Sequence, residues 1–124
     1  MIDFENGKVF KLREDKTPRE RDIDALLVED EEVLGSYTAV RDSVVFTNKR
    51  IIAVNKQGVT GTRRDFTSLP YNKISIFSVE TAGMLGYDSE LELHYPGVGK
   101  ISFEFAGSSD IAAIARAIAT FALD

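Results

Sequence analysis

The middle of the chain carries two apolar runs that lie only four residues apart. Residues 44–46 and 51–54 are rich in β-branched and aromatic side chains, which favour strands. Asn48 tolerates the positive φ of a tight turn, so residues 44–54 are predicted to form a β-hairpin that closes at Asn48 and Lys49. Both runs are apolar at successive positions. Both faces of the hairpin therefore carry hydrophobic side chains, and the second face needs a cover.

Five further strands are predicted from the remaining pattern. Residues 90–95 and 100–106 alternate apolar and polar positions, which indicates a hairpin with one face in water. The other three strands are predicted over residues 33–40, 62–69 and 73–80. Residues 73–80 are apolar on both phases again, so periodicity alone does not say which phase faces the core.

Two helices are predicted at the ends of this strand region. Residues 17–20, Thr-Pro-Arg-Glu, combine an N-cap, a proline at the first helical position and a glutamate two residues later. They predict a helix over residues 18–28. From Ile111 to Ala122, apolar residues recur at helical spacing, which predicts a C-terminal helix. We expect that helix to plug the open end of a curled sheet.

Two segments near the N-terminus have no clear element. Residues 1–16 keep no period for long, which favours a loosely held arm, with a short strand over residues 9–12 as an option. The alternative is an arm that docks on the body or on a neighbouring subunit through three apolar residues, Phe4, Phe10 and Leu12. The four carboxylates of residues 29–32 lack the spaced ligands and glycine of a calcium loop, so a solvated turn is predicted there.

Composition bounds the class of protein. The chain has 124 residues and no cysteine, which fits one globular domain without disulfides or zinc-thiolate sites. We divide it into an N-terminal arm with a short helix, residues 1–32, and a domain over residues 33–124. The net charge of -5 comes from residues 1–32, with 11 acidic and 6 basic residues, and the neutral remainder does not predict nucleic-acid binding. With no signal peptide and no run of about 20 apolar residues, we expect a cytoplasmic chain without an integral membrane segment.

The inventory of reactive side chains disfavours an enzyme. His94 is the single histidine, and it lies on the outward phase of a predicted strand between carboxylates. The glycine pairs in residues 58–61 and 83–86 do not continue into the Gly-Lys-Ser/Thr of a phosphate-binding loop. We therefore predict no catalytic residues, no metal site and no cofactor.

Three stretches resemble the bacterial pleckstrin-homology (PH) family. They are residues 41–61 (RDSVVFTNKRIIAVNKQGVTG), 65–83 (DFTSLPYNKISIFSVETAG) and 88–93 (DSELEL). The resemblance implies an α+β fold, a split barrel of seven antiparallel strands capped by a C-terminal helix, here with a short N-terminal helix. It also implies a non-enzymatic domain that assembles into ring-like homo-oligomers. The long basic loop of phosphoinositide-binding PH domains is reduced to residues 41–43, so membrane-surface contact is not expected.

Self-assembly is the function that we predict from the two-faced strands. A barrel interior absorbs only one phase of each strand, and the other phase would form an apolar patch of the kind that marks interaction surfaces. The predicted interface consists of Val45, Ile52, Phe77, Val79, Met84 and Leu85. The alternative is that the N-terminal helix covers this face within one chain. Another protein could take the place of the second copy as partner.

An anionic ligand is the alternative function. In a split barrel of this type, several loops gather at one end, where cations could hold a phosphate-bearing ligand or an acidic peptide. The residues predicted to form this site are Arg41, Lys56, Arg63, Arg64 and Lys100.

Overall fold

Eight strands and two helices make up the part of the chain that a computed structural model describes: residues 9–14, 21–39, 42–57, 63–81, 88–107 and 111–123. The strands are β1 (Val9–Glu14), β2 (Val33–Thr38), β3 (Asp42–Thr47), β4 (Arg50–Gln57), β5 (Arg63–Pro70), β6 (Ile76–Thr81), β7 (Ser89–Tyr95) and β8 (Gly99–Phe105). The helices are α1 (Arg21–Leu26) and α2 (Ile111–Ala122), and a 3₁₀ turn, Tyr71–Lys73, follows β5.

The predicted central hairpin is formed by β3 and β4. Val45 lies opposite Ile52 and Phe46 opposite Ile51 in the antiparallel register. Asn48 sits in the turn, where its side-chain amide donates a hydrogen bond to the carbonyl oxygen of Asp30 at 2.9 Å. Its Oδ1 accepts one from the backbone N–H of Glu32 at 2.8 Å. The turn is therefore tied to the segment between α1 and β2.

The strands form one open sheet in the order β5-β4-β3-β2-β1-β8-β7-β6. The prediction of seven antiparallel strands is wrong in two respects, and both concern β1. This strand pairs antiparallel with β2 and parallel with β8, so it joins the two halves of the sheet as an eighth strand. Leu12 of β1 is fully buried in the core. In the described part of the chain, β5 and β6 each have one unpaired edge.

One large core fills the curled sheet. Phe103 and Phe105 of β8 are fully buried there, and Tyr37 meets Phe105 edge-on with the ring centroids 5.2 Å apart. Helix α2 packs on this core through Ile114 and Ile118. Ile114 and Ile118 lie three and seven residues after Ile111, at the helical spacing that the sequence predicted.

Helix α1 occupies six residues inside the predicted range of 18–28. The predicted capping residues 17–20 lie outside the described residues. Neither described helix is long and apolar enough to cross a membrane.

Candidate functional site

The sequence analysis predicted that Val45 and Ile52 form part of an interface with another copy. In the structure they lie beneath the chain's own helix α1. Val45 is 4% exposed and Ile52 is 0% exposed. With Val54 they pack against Ile23 of α1, which is itself 2% exposed. We call this buried surface the sealed face. The alternative of an intramolecular cover is therefore the correct one for these two residues.

The remaining predicted interface residues are divided between the core and the undescribed part of the chain. Phe77 and Val79 are half-buried and pack against the main core, so the outward phase of β6 is the one that carries Ile76. Ile76 is 67% exposed. Met84 and Leu85 lie outside the described residues.

A buried ion pair holds the segment that covers the sealed face. The Glu31 side chain is fully buried, and its Oε2 lies 2.9 Å from Nε of Arg50. Nη2 of Arg50 donates to the other carboxylate oxygen at 3.0 Å and to the backbone carbonyl of Leu26, at the end of α1, at 2.7 Å. Bidentate pairs of this kind fix geometry as well as charge. Arg50 thus fastens α1 to the start of β4.

The Glu31 carboxylate receives two further hydrogen bonds. The backbone N–H of Val28 donates to Oε1 at 3.0 Å, and the Thr47 hydroxyl donates to Oε2 at 2.7 Å. Burial alone would raise the pKa of Glu31. The hydrogen bonds from Arg50, Val28 and Thr47, with the charge of Arg50, outweigh it and hold this pKa below its ordinary value of 4.5. The solvated turn predicted for residues 29–32 is therefore wrong for Glu31.

The described structure separates Lys100 from Arg63 and Arg64 of the predicted anion site. Arg63 and Arg64 are exposed at the start of β5. The strand register from β5 through to β8 brings the end of β8, not its start, to this end of the sheet. Lys100, near the start of β8, lies toward the other end and 3.5 Å from Glu92. Arg41 lies outside the described residues, as does the side chain of Lys56.

His94 is exposed on β7, as predicted. Its Nδ1 lies 3.2 Å from Oγ of Ser75, and the same hydroxyl is 3.0 Å from the His94 backbone carbonyl, to which it donates. A serine nucleophile would need a histidine whose second ring nitrogen is oriented by another group. Within the described residues, no carboxylate hydrogen-bonds the ring, so this contact fits a β6–β7 surface link better than a catalytic pair.

Three glutamates form a row across the outer half of the sheet. Glu80 of β6 lies opposite Glu90 of β7, which lies opposite Glu104 of β8. Like charges that face each other across strands repel and are destabilising. The three carboxylates also make the local electrostatic potential negative. No group of three or more metal-ligating side chains with metal-site geometry occurs in the described ranges.

An apolar groove of about 480 Å³ runs along the free edge of β5. The described residues that line it are Thr67, Ser68, Leu69, Pro70, Lys73, Tyr95, Pro96, Val98 and Ile101. We call it the β5 groove. Four consecutive residues of β5 contribute, from both phases of the strand, so the groove follows the strand edge. Its other wall is the end of β7, the β7–β8 turn and Ile101 of β8.

Rigid neighbours fix the ends of the β5 groove. The Tyr71 ring stacks on Phe121 of α2, with centroids 5.8 Å apart and planes 15° apart, and this anchors the 3₁₀ turn that carries Lys73. Gly97 and Gly99 have φ values of 82° and 113° and hold Val98 at the tip of the β7–β8 turn. Burial raises the pKa of both Tyr71 and Tyr95, so these phenols stay neutral.

The sequence analysis missed the β5 groove because its walls are 25 or more residues apart in the chain. One signal was available. Val98 is a large apolar residue between two turn glycines, where a polar residue is the usual choice. In the structure it is 65% exposed at the groove rim.

Known proteins resemble this chain over most of its length. The family model of the bacterial PH domain matches residues 3–122. The chain is 44% identical over 96 residues to the uncharacterized protein YjqA of Bacillus subtilis (strain 168), which covers 76% of this chain and 77% of that protein.

Two crystal structures have the same fold at substantial sequence identity. A DUF1696 family protein with a pleckstrin-homology domain from Shewanella loihica PV-4 has a TM-score of 0.70 and 38% identity, covering 81% of this chain and 86% of that one. A pleckstrin homology domain from Shewanella amazonensis SB2B has a TM-score of 0.64 and 39% identity, covering 83% and 84% respectively.

Proposed function

This chain belongs to the bacterial PH domain family, and from that premise we propose that it is a non-enzymatic binding and scaffold module that assembles with copies of itself. Catalysis has little support, because His94 is exposed and its Ser75 neighbour donates its hydroxyl to the backbone. Binding has better support, because the described residues leave strand edges and apolar surface uncovered.

The unpaired edges of β5 and β6 are the observation that carries this proposal. In the described part of the chain β5 pairs only with β4, and β6 only with β7. An unpaired edge presents a row of backbone donors and acceptors that another strand can complete. The two edges differ in sequence, so pairing β5 of one copy with β6 of the next is a head-to-tail contact. Such contacts generate a ring when the rotation closes.

Charge complementarity supports the antiparallel orientation of that contact. Antiparallel pairing brings the start of β5, with Arg63 and Arg64, to the end of β6, where Glu80 lies. The two arginine side chains point to opposite faces of β5, and the one on the face of the glutamates would continue their row with opposite charge, which is a favourable cross-strand arrangement. In the register that places Glu80 opposite Arg63 or Arg64, exposed Ile76 would lie opposite Thr67 or Ser68.

Native mass measured by light scattering at high micromolar concentration tests the assembly. We expect a mass several times that of one chain. Glu80→Lys should dissociate the assembly, because it puts a cation opposite Arg63 and Arg64. Adding Arg63→Glu and Arg64→Glu to that variant should restore it, since the charges are then exchanged. Glu29→Lys, at an exposed position in the segment after α1, is the matched control and should leave the mass unchanged.

A strict monomer at high micromolar concentration would rule out self-assembly. If the chain assembles but Glu80→Lys and its charge-exchanged triple variant both keep the wild-type mass, the β5–β6 contact is not the interface.

A further inference from the structure

The β5 groove combines an apolar lining with one cation. Lys73 is the single charged residue among the nine described residues that line it. The other polar groups of the β5 wall are engaged: the Thr67 hydroxyl donates to Asp65 at 2.8 Å, and Oγ of Ser68 accepts from Arg50 at 2.9 Å. Lys73 is exposed and has no ion-pair partner in the described ranges. The groove therefore offers hydrocarbon contact along its length and one free positive charge.

We propose that the β5 groove binds a free fatty acid, with the alkyl chain along β5 and the carboxylate at Lys73. This function goes beyond self-assembly but uses the same edge of β5, so a ligand in the groove and the β6 strand of a neighbouring copy would compete for it. A volume of about 480 Å³ lies in the usual range for small-molecule sites, which are mostly apolar with a few polar groups that fix orientation. The ligand is thus a linear amphiphile with a single negative charge.

The charge and the size of the site together select this ligand over a phospholipid. A phosphate monoester carries up to two negative charges and is usually held by arginine clusters or several donors. A phosphodiester headgroup carries one charge, but its two long acyl chains are too large for a groove of about 480 Å³. The β5 groove offers one ammonium, which matches one carboxylate. Arg63 lies at the opposite end of β5, seven residues from Pro70, or about 23 Å along an extended strand, and cannot add a second cation.

Titration with dodecanoate below its micelle concentration, followed by backbone and methyl NMR shifts, tests the proposal. We expect shifts at Leu69, Val98 and Ile101, with saturation at one ligand per chain. Val98→Glu should abolish binding, because it places a carboxylate at the apolar rim. Val28→Glu, which alters an exposed valine outside the groove lining, is the matched control and should bind as the wild type does.

The role of Lys73 in holding the carboxylate is tested by combining Lys73 variants with ligands of different charge. Lys73→Ala should weaken dodecanoate about fivefold and leave neutral dodecan-1-ol unchanged, since only the charge interaction is lost. Lys73→Glu should reverse the preference in favour of dodecylammonium, an outcome that a merely structural role for Lys73 does not produce. Arg13→Ala, at an exposed position of β1, is the control for a general loss of positive charge and should have no effect.

Three results would overturn the proposal. The first is the absence of shifts in the β5 groove. The second is equal weakening by Val28→Glu and Val98→Glu, which indicates non-specific adsorption. The third is capture by phosphatidylglycerol vesicles that depends on Lys73 while free dodecanoate does not bind, which identifies a membrane surface as the ligand.

Discussion

The sealed face and the β5 groove are both lined by apolar side chains, but the first is buried and the second is open to solvent. On the sealed face, Val45 and Ile52 are buried because Ile23 of α1 lies on them. In the groove, Val98 and Pro70 stay at the surface, and no described element lies over them. An apolar face is closed when a neighbouring segment brings both a side chain to fill it and a polar contact to hold that segment in place.

Removing the polar contact should have the largest effect on the sealed face. Arg50→Ala leaves the Glu31 carboxylate buried without its cation and frees the end of α1. Breaking a buried ion pair from one side costs about 3–5 kcal/mol. We expect a loss of that size in the free energy of unfolding, measured by denaturant titration at neutral pH. Lys49→Ala, at the exposed neighbouring position, is the control and should change it little.

The pH dependence of this loss separates charge from packing. The folded-state pKa of Glu31 is below its ordinary value of 4.5, so its ionisation stabilises the wild type above about pH 4.5. That stability disappears as the pH falls through the folded-state pKa. The difference between the wild type and Arg50→Ala should therefore narrow in acid. A difference that stays constant as the pH falls would assign the loss to the packing of the arginine stem.

Removing the filling side chain should cost less. Ile23→Ala deletes buried methyl groups over Val45 and Ile52, and changes of this type cost about 2–4 kcal/mol. Leu26→Ala, in the same helix but 41% exposed, should cost less than about 0.5 kcal/mol in the same titration. Equal small losses for both variants would mean that α1 does not seal the face in solution.

The sequence predicted the elements of this fold better than their environment. Helix α2 and the β7–β8 hairpin follow directly from clean periodicity, with Ile114, Ile118, Leu91 and Leu93 all buried. Strand β1 was not assigned with certainty because it is short and mixed, and its place between β2 and β8 depends on pairing with residues more than 20 positions away. In β6 both phases are apolar, so only the three-dimensional packing places Phe77 inward and Ile76 outward.

The candidate sites were predicted least well because they depend on distant pairs. Glu31 belongs to a run of four acidic residues that is typical of a solvated turn, and it is buried only because Arg50 lies 19 residues later at the start of β4. The apolar surplus of the middle strands was identified correctly. Its cover, however, was assigned to another copy, since the sequence does not show that Ile23 reaches Val45.

The smallest effect on stability is expected in the β5 groove. The Val98 side chain projects from the turn tip, and the positive φ values of Gly97 and Gly99, which shape that turn, do not depend on it. Val98→Glu should therefore change the free energy of unfolding by less than about 0.5 kcal/mol, as surface substitutions usually do. Denaturant titration beside Ile23→Ala makes the comparison direct. If Val98→Glu instead costs as much as Ile23→Ala, a segment of the same chain packs on the groove in solution. The contrast between a sealed and an open apolar face would then be false, because both faces would be closed by the same means.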